Sequence, residues 1–301
     1  MQKYKLGRYK NYKRMTLEDY LQTHYTKKTS DAYLREIEAY LLYCPNADTA
    51  VHKDIVAHIG TLRKRYRNPK TLTRILCAIK CYYHFLVYTG KRTDNPGKSI
   101  RLRDKTSRDI QLQDLFTEKE LEALLDRKER YGLLKARNSV LTGLLIYQGL
   151  LPTELETLTI SDINLNQGTV YIKAGAKTNS RTLSLKSSQI MILHEYIQKA
   201  RPEMLKKRSE DFLLVGIRGE QVIGEDITKH IRRSFKGLYA PKKVNCQTIR
   251  QSVITNLLKA GNDLRIVQVF AGHRNPGTTE RYKQTSTESL KTAIQQYHPM
   301  R

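Results

Sequence analysis

Acidic residues are scarce in this sequence. Its 301 residues include 29 Asp and Glu against 54 Lys and Arg, so the formal net charge is +25 and the pI is near 9.9. A charge of this size requires an anionic partner, and nucleic acid is the first candidate. Ribosomal and membrane-surface proteins are also strongly basic, so the charge alone leaves those two classes open.

Long apolar runs are also missing. No window approaches the roughly 18 consecutive apolar residues of a membrane span. The first fourteen residues, MQKYKLGRYKNYKR, lack the apolar core of a signal peptide. We therefore expect a cytoplasmic, nucleoid-associated protein that has no membrane partner.

The four cysteines are too few and too scattered for a disulfide framework, and they form no CxxC motif. Cys77, Cys81 and His84 follow one another at helical spacing, which is one arrangement of metal ligands. Three ligands on one helix without a fourth partner make a poor zinc site, however. We interpret them as small residues on a helix face, and we predict no metal and no cofactor.

The first part of the chain is predicted to be helical. Its segments DAYLREIEAYLLY and KTLTRILCAIKCYYHFLVYTG have helical apolar stripes, and the second ends at Gly90. We predict a helical DNA-binding bundle with a basic surface over residues 15–98. Residues 1–14 form a basic tail that either lies along phosphates while its tyrosines stack or is merely solvated.

A polar linker is predicted over residues 99–113, where charges mix with Ser and Thr and no apolar period is sustained. The second domain, residues 114–285, opens with FTEKELEALLD. Thr117 and Glu120 form a capping box there, which indicates the start of a helix.

The rest of the second domain is predicted to be mainly helical with a small sheet. SVLTGLLIYQGLL is a nearly all-apolar helix that belongs in the core. The segment DINLNQG predicts a turn, and TVYIKAGAKTNSRTLSL predicts two short strands around a loop. The fold class is therefore mainly α, with an N-terminal helical bundle and a C-terminal helical domain that carries a small antiparallel β-sheet.

The stretch from Cys246 to Tyr282 contains an ordered set of polar residues. A helix that carries Arg250 ends at Gly261, and a second helix, DLRIVQVFAGH, ends with His273. After the turn RNPG, the segment TTERY brings the tyrosine nine residues past the histidine. The spacing predicts one pocket shared by an arginine, a histidine and a tyrosine.

This order and spacing resembles the C-terminal motif of the tyrosine recombinases, the phage-integrase and chromosome-dimer-resolvase group, and the resemblance extends over nearly the whole chain. It implies that Tyr282 is a nucleophile, that Arg250 is a phosphate clamp and that His273 donates to the same phosphate. It also implies that Lys177, between the two strands, is a general acid. Lys173 is the alternative, because the strand register is open.

Two positions depart from the family pattern. The family has Gly-Leu-Arg before x-x-Glu-Leu, whereas this chain has GLLPTEL, with Leu151 at the place of the arginine. Three residues before Arg250 the family has His or Lys, and this chain has Gln247, which donates hydrogen bonds but exchanges no proton at neutral pH. The candidate catalytic residues are therefore Tyr282, Arg250, His273, Lys177 and Gln247.

Two hypotheses of different class follow. The first is a site-specific recombinase or integrase of a mobile element, which cleaves and rejoins double-stranded DNA at specific recombination sites through a 3′-phosphotyrosyl intermediate, with activity weakened by Leu151. The second is a DNA-binding accessory or regulatory relative that has lost catalysis. A third class, a basic RNA-binding or ribosomal protein, gives no reason for the pocket.

The resemblance also implies partners. It implies a homo-tetramer on DNA, in which a C-terminal helix at residues 286–301 docks on a neighbouring protomer. This segment has Leu290, Ile294 and Tyr297 on one apolar stripe, and docking on its own domain is the alternative. Accessory recombination proteins are a further class of partner.

Overall fold

The computed structural model divides into two compact units between residues 108 and 109. The residues that it describes are 15–104, 114–127, 129, 131–206 and 208–282. The predicted basic tail, most of the predicted linker and the predicted C-terminal helix lie outside the described residues. Within the described residues, no helix is long and apolar enough to cross a membrane.

Helices form the described part of the N-terminal unit. They are α1 (Leu17–His24), α2 (Lys27–Tyr43), α3 (His52–Arg65) and α4 (Pro69–Tyr88). The sequence explains where two of them begin. Thr16 and Asp19 form a capping box at α1. The side chain of Asn68 caps α4, and Pro69 occupies the first helical position, where its missing N–H is no loss.

The core of the N-terminal unit combines apolar side chains with a buried pair of tyrosines. Ile37, Ile55 and Ile79 are fully buried. Tyr40 and Tyr83 are also buried, and their hydroxyl groups share a hydrogen bond of 2.6 Å, which satisfies both polar atoms inside the core. The predicted helical bundle is therefore confirmed.

The C-terminal unit contains short and long helices around a small sheet. Its described α-helices are α5 (Glu118–Glu122), α6 (Gly132–Tyr147), α7 (Pro152–Thr157), α8 (Ser187–Glu195), α9 (Arg201–Leu205), α10 (Gly224–Ser234), α11 (Cys246–Lys259), α12 (Leu264–Ala271) and α13 (Pro276–Glu280). The strands are β1 (Ile163–Asn164), β2 (Thr169–Ile172) and β3 (Arg181–Ser184).

Helix α6 lies at the centre of the C-terminal core, as its apolar sequence predicts. Leu141, Leu144 and Leu145 are fully buried and belong to one cluster with Ile249 and Val253 of α11. Each fully buried leucine side chain contributes about 2 kcal/mol through the area that it removes from water. This packing fixes α11, which carries Arg250, against the centre of the unit.

The sheet is antiparallel and has the strand order β1-β2-β3. The pairing of Val170 with Leu183 and of Ile172 with Arg181 confirms the predicted hairpin. Strand β1 was not predicted, because Ile163 and Asn164 belong to the segment in which only a turn was expected. The turn itself lies in the next four residues, where Gly168 has a φ of 61°. The mainly α fold with a small antiparallel sheet is thus confirmed.

Candidate active site

Two helices and the turns beside them position the predicted site residues. The side chain of Asn245 caps α11, and that of Asp263 caps α12. Helix α12 is followed by its C-cap residue Gly272, which has a left-handed φ of 70°. A Cβ atom there would lie 2.6 Å from Nη1 of Arg181, so both the backbone and the close approach require glycine. The next residue along the chain is His273.

Arg250 joins two segments of the C-terminal unit. Its side chain is buried, Nη1 donates to the carbonyl of Gly149 at 2.6 Å, and Nη2 donates to the carbonyl of Ala271 at 2.5 Å. The first carbonyl lies just before α7 and the second lies in the last residue of α12. Arginine has five N–H donors, so its guanidinium keeps donors for a further oxygen ligand after making these two bonds.

His273 and Tyr282 lie side by side in the same region. Their rings are stacked, with centroids 6.1 Å apart and planes inclined by 17°. Nδ1 of His273 is 2.9 Å from the hydroxyl of Thr279, and the N–H of Tyr282 donates to the carbonyl of Thr279 at 2.9 Å. Tyr282 is 7% exposed and belongs to a buried apolar cluster with Ile254. This cluster holds one edge of the ring of Tyr282, the candidate nucleophile.

A buried ion pair lies beside these residues, and it was not predicted. Arg181 binds both carboxylate oxygens of Glu154, with Nη1 at 2.8 Å and Nη2 at 3.1 Å. The same carboxylate accepts the N–H of Leu151 at 2.9 Å and lies 3.9 Å from Nη1 of Arg250. A guanidinium and a carboxylate that the sequence interpretation did not assign to the site therefore border the pocket.

The sequence contains a signal for the position of Arg181. In the segment RTLSL, Arg181 alternates with Leu183 and Leu185, and the three share the buried face of the strand. A charged residue on the inner face of a strand needs a buried partner of opposite charge. Its partner, Glu154, lies 27 residues earlier in the chain, which strand periodicity alone does not indicate.

Leu151 and Gln247, the two departures from the family pattern, lie at the edge of this region. Leu151 directly precedes α7 and is half-buried. Gln247 is exposed in the first turn of α11, one turn before Arg250. Leu151 therefore precedes one element that holds the pocket and Gln247 lies within another, and neither side chain is part of the apolar core.

The loop between β2 and β3 carries both lysine candidates, and the structure distinguishes their surroundings. Lys173 is 3.0 Å from Asp162 in an ion pair. Lys177 is exposed and precedes Thr178, whose backbone forms a β-bridge with His273. The N–H of Asn179 also donates to the carbonyl of Gly272 at 2.8 Å. Lys177 is thus carried by the part of the loop that contacts the histidine segment.

The charges of the pocket set the protonation of its side chains. Burial, reinforced by the positive charges of Arg250 and Arg181, lowers the pKa of His273 to about 4. Burial raises the pKa of the Tyr282 phenol, although Arg250 opposes this rise. Burial by itself would raise the pKa of Glu154, but the hydrogen bonds from Arg181 outweigh it and lower that pKa. At neutral pH the pocket therefore holds a neutral imidazole, a protonated phenol and a carboxylate.

These features suit the binding of a phosphate group and nucleophilic attack on it. A buried guanidinium with unused donors, a neutral imidazole and a phenol form one pocket, which matches the needs of anion binding and nucleophilic attack. Among the described residues, no group of three His, Cys, Asp or Glu side chains is arranged to hold a metal ion.

Comparison with known sequences assigns the family. The sequence model of the phage integrase family matches residues 114–289, and that of the phage integrase N-terminal SAM-like domain matches residues 16–90. Since the first match alone covers more than half of the chain, the chain belongs to the phage integrase family, that is, to the tyrosine recombinases.

Two relatives that match this chain over almost its full length are both named tyrosine recombinase XerD. Tyrosine recombinase XerD of Listeria innocua is 27% identical over 279 residues, which are 90% of this chain and 92% of the relative. Tyrosine recombinase XerD of Oceanobacillus iheyensis is 29% identical over 278 residues, with the same two coverages. The chain is similar to these proteins over both of its units.

Solved structures show the same fold at low sequence identity. The Tn1549 transposon integrase, in complex with a circular intermediate DNA, has a TM-score of 0.68 at 15% identity, over 94% of this chain and 99% of the integrase chain. A lambda integrase tetramer bound to a Holliday junction has a TM-score of 0.65 at 14% identity, over 88% of this chain and 74% of that chain.

Proposed function

We propose that this protein is a site-specific DNA recombinase of a mobile element. It cleaves and rejoins double-stranded DNA at specific recombination sites through a 3′-phosphotyrosyl intermediate. The observation that carries this proposal is the shared pocket, in which the rings of His273 and Tyr282 stack and the guanidinium of Arg250 binds the end of the helix just before them. The full-length similarity to proteins named tyrosine recombinase XerD supports the same reaction class.

The pocket supports the following chemistry. The phenol oxygen of Tyr282 attacks the scissile phosphorus and loses its proton, a P–O bond to the tyrosine forms, and the P–O5′ bond breaks. Arg250 binds non-bridging oxygens with the donors that it does not use on backbone carbonyls, and His273 donates from Nε2. Lys177 protonates the departing 5′-oxygen. The ester stores the energy of the broken bond, so the reverse attack by a 5′-hydroxyl needs no cofactor.

The replacement of the family arginine by Leu151 sets the expected rate of DNA cleavage. The side chain of Leu151 provides no hydrogen-bond donor to the phosphate. The side chain of Gln247 carries no charge and exchanges no proton at neutral pH. The loss of one transition-state donor typically costs about 3 kcal/mol, which is a hundredfold or more in rate. We therefore propose a recombinase whose cleavage step is slow rather than absent.

The domain roles and the assembly are part of the proposal. Residues 15–98 are proposed as a DNA-binding domain, residues 114–285 as the catalytic domain, and residues 286–301 as the segment exchanged between protomers of a tetramer on DNA. The division of the chain between residues 108 and 109 and the two family matches support the first two assignments. The similarity to a lambda integrase tetramer supports the tetramer, and the apolar stripe of Leu290, Ile294 and Tyr297 supports the exchanged segment. Accessory recombination proteins are proposed as further partners.

Covalent trapping tests this function. A nicked suicide substrate that carries the native site, taken from the DNA that flanks the element, should give a protein–DNA adduct that survives denaturant. Tyr282→Phe should give no adduct while it binds the same DNA with unchanged affinity, since only the phenol oxygen is removed. An equal yield of adduct from the Tyr282→Phe protein would refute the assignment of the nucleophile.

The second candidate function is a DNA-binding accessory protein without catalysis. The replacement of two family residues by Leu151 and Gln247 favours this candidate. It predicts specific DNA binding with no adduct, either from the wild type or from a stably folded variant in which Arg and His are returned to these two positions. The suicide substrate therefore separates the two functions.

A further inference from the structure

Thr279 connects the two residues of the proposed reaction. It lies in α13, it is fully buried, and its hydroxyl oxygen is 2.9 Å from Nδ1 of His273. Its carbonyl accepts the N–H of Tyr282 at 2.9 Å. One residue therefore holds the histidine through its side chain and the tyrosine through its backbone.

The hydroxyl group of Thr279 determines which way the hydrogen bond runs. A hydroxyl has one proton to donate, and a buried donor without an acceptor is unfavourable. Among the described residues, the hydrogen-bond partner that the structure gives to this hydroxyl is Nδ1 of His273. If Nδ1 carried a proton, the hydroxyl would accept that hydrogen bond, and among the described residues the structure gives its own proton no other acceptor. This arrangement favours a hydroxyl that donates and an Nδ1 that accepts.

We propose that Thr279 is a positioning residue that donates its hydroxyl proton to Nδ1 of His273 and so keeps the neutral imidazole in the Nε2–H tautomer. A neutral imidazole has one N–H group and one acceptor nitrogen, and the bond made by one nitrogen fixes the role of the other. The stacked ring of Tyr282 fixes the plane in which this N–H points.

The tautomer decides what His273 does in the reaction, and this consequence rests on the proposed function. With the proton on Nε2, His273 donates a hydrogen bond to a non-bridging oxygen of the phosphate. With the proton on Nδ1, the free Nε2 would instead accept a proton as a general base. Thr279 therefore selects the role of phosphate donor, and the proton of the Tyr282 phenol leaves to another acceptor, such as solvent or the phosphate.

Nitrogen NMR on the free protein tests the tautomer directly. In protein with ¹⁵N-labelled histidine, long-range ¹H–¹⁵N spectra distinguish a protonated ring nitrogen from an unprotonated one at each of the 8 histidines. The His273 signals are those that vanish in the His273→Gln protein. At neutral pH we expect a protonated Nε2 and an unprotonated Nδ1. A protonated Nδ1 in the wild type overturns the proposal.

Three threonine variants test the role of the hydroxyl. Thr279→Val keeps the shape but removes the donor, so we expect loss of the Nε2–H preference and a fall of about tenfold in adduct formation, with unchanged DNA affinity. Thr279→Ser should restore both properties. Thr278→Val is the matched control, because the same change is made at the half-buried neighbour, and it should alter neither. A Thr279→Val protein with wild-type tautomer and wild-type rate contradicts the proposal.

The readouts separate this inference from the proposed function. Measuring the tautomer of His273 in the wild-type protein requires neither DNA nor catalysis. This measurement therefore tests the proposal even if Thr279→Val fails to fold. If the Nε2–H tautomer is present and lost in Thr279→Val, but the wild type makes no adduct, the positioning role stands and the recombinase function falls. If the adduct forms at the same rate in folded Thr279→Val with an altered tautomer, the role in the reaction is disproved.

Discussion

Arg181 binds both carboxylate oxygens of Glu154, and the two side chains are 2% and 4% exposed. Since Glu154 also accepts the N–H of Leu151, this ion pair joins strand β3 to the start of α7. Arg250 also lies near this carboxylate, with Nη1 3.9 Å from Oε2 of Glu154. The bidentate pairing with Arg181 therefore keeps Glu154 from forming a closer ion pair with Arg250. The guanidinium of Arg250 thus stays available for the phosphate in the proposed reaction.

The first prediction concerns this ion pair. Arg181→Met leaves a buried carboxylate without its main partner, and breaking such a pair destabilises a protein by about 3–5 kcal/mol. We expect a lower melting temperature and loss of adduct, since Glu154 then pairs with Arg250. The double variant Arg181→Met/Glu154→Gln removes both charges and should recover most of the stability in calorimetry. A double variant as unstable as the single one would show that the ion pair is not the cause.

The second prediction is a dependence of stability on pH. The pKa of His273 is about 4 in the folded protein against an ordinary value of 6.5. Between these values the unfolded chain binds more protons than the folded one, so stability rises with pH across this window and is lost as the pH falls. The effect is at most about 3 to 4 kcal/mol, since one pKa unit corresponds to about 1.4 kcal/mol.

Unfolding in urea near neutral pH and at about pH 4.5 measures this effect, because most of the window lies between these values. Burial also lowers the pKa values of His58 and His230, so the wild type is compared with His273→Gln. The wild type should lose more stability on acidification than His273→Gln does. Equal losses in the two proteins would mean that His273 titrates normally.

The local part of the site could be predicted from the sequence. Arg250, His273 and Tyr282 lie within 33 residues of one another, and caps, glycines and apolar stripes fix the short elements that carry them. The intervals between these residues along the chain therefore determine how far apart they lie in the fold. The structure brings the three residues together, as their intervals in the sequence predict.

The non-local part could not be predicted in this way. The partnership of Arg181 with Glu154 joins a strand to the start of a helix, and it depends on how the sheet packs. The choice between Lys173 and Lys177 depends on the strand register. The loop between the strands has no alternation of apolar and polar residues that would fix this register. The structure pairs Ile172 with Arg181, and the ion pair of Lys173 with Asp162 follows.

The third prediction concerns DNA affinity. With a net charge of +25, the protein should bind duplex DNA with an affinity that falls steeply as salt rises. Each phosphate contact adds about 0.9 to the slope of log K against log salt. Anisotropy titrations at several salt concentrations give this slope, and Tyr282→Phe should give the same value because it changes no charge. A slope near zero would eliminate nucleic acid as the partner.

The fourth prediction tests the general acid. Lys177→Met should slow adduct formation by about a hundredfold or more, because the 5′-oxygen then leaves without a proton. A substrate with sulfur in place of this bridging oxygen should restore the rate, since a thiolate needs no protonation to depart. Gel analysis of the adduct on both substrates measures the effect.

Lys173→Met is the matched control for this experiment. Lys173 pairs with Asp162, so its replacement should leave cleavage of both substrates unchanged. A loss in Lys177→Met that the sulfur substrate fails to restore would remove Lys177 from the role of acid. A defect in Lys173→Met that sulfur does restore would move the role to Lys173.

The fifth prediction concerns the vacant arginine position. Leu151 is half-buried, precedes α7 directly and does not belong to the apolar core, so a longer side chain can extend without burying its charge. Leu151→Arg should therefore change the free energy of unfolding by less than about 1 kcal/mol. Because Glu154 lies three residues later and already binds Arg181, the new guanidinium remains available to the phosphate.

Adduct formation by Leu151→Arg should increase by tenfold or more over the wild type on the suicide substrate, since about 1.4 kcal/mol of transition-state stabilisation is enough for that factor. Leu151→Met is the control, because it lengthens the side chain without a charge and should give the wild-type rate. A stable Leu151→Arg protein that forms no more adduct than Leu151→Met, and that gains nothing from the further change Gln247→His, would favour the accessory function over the recombinase.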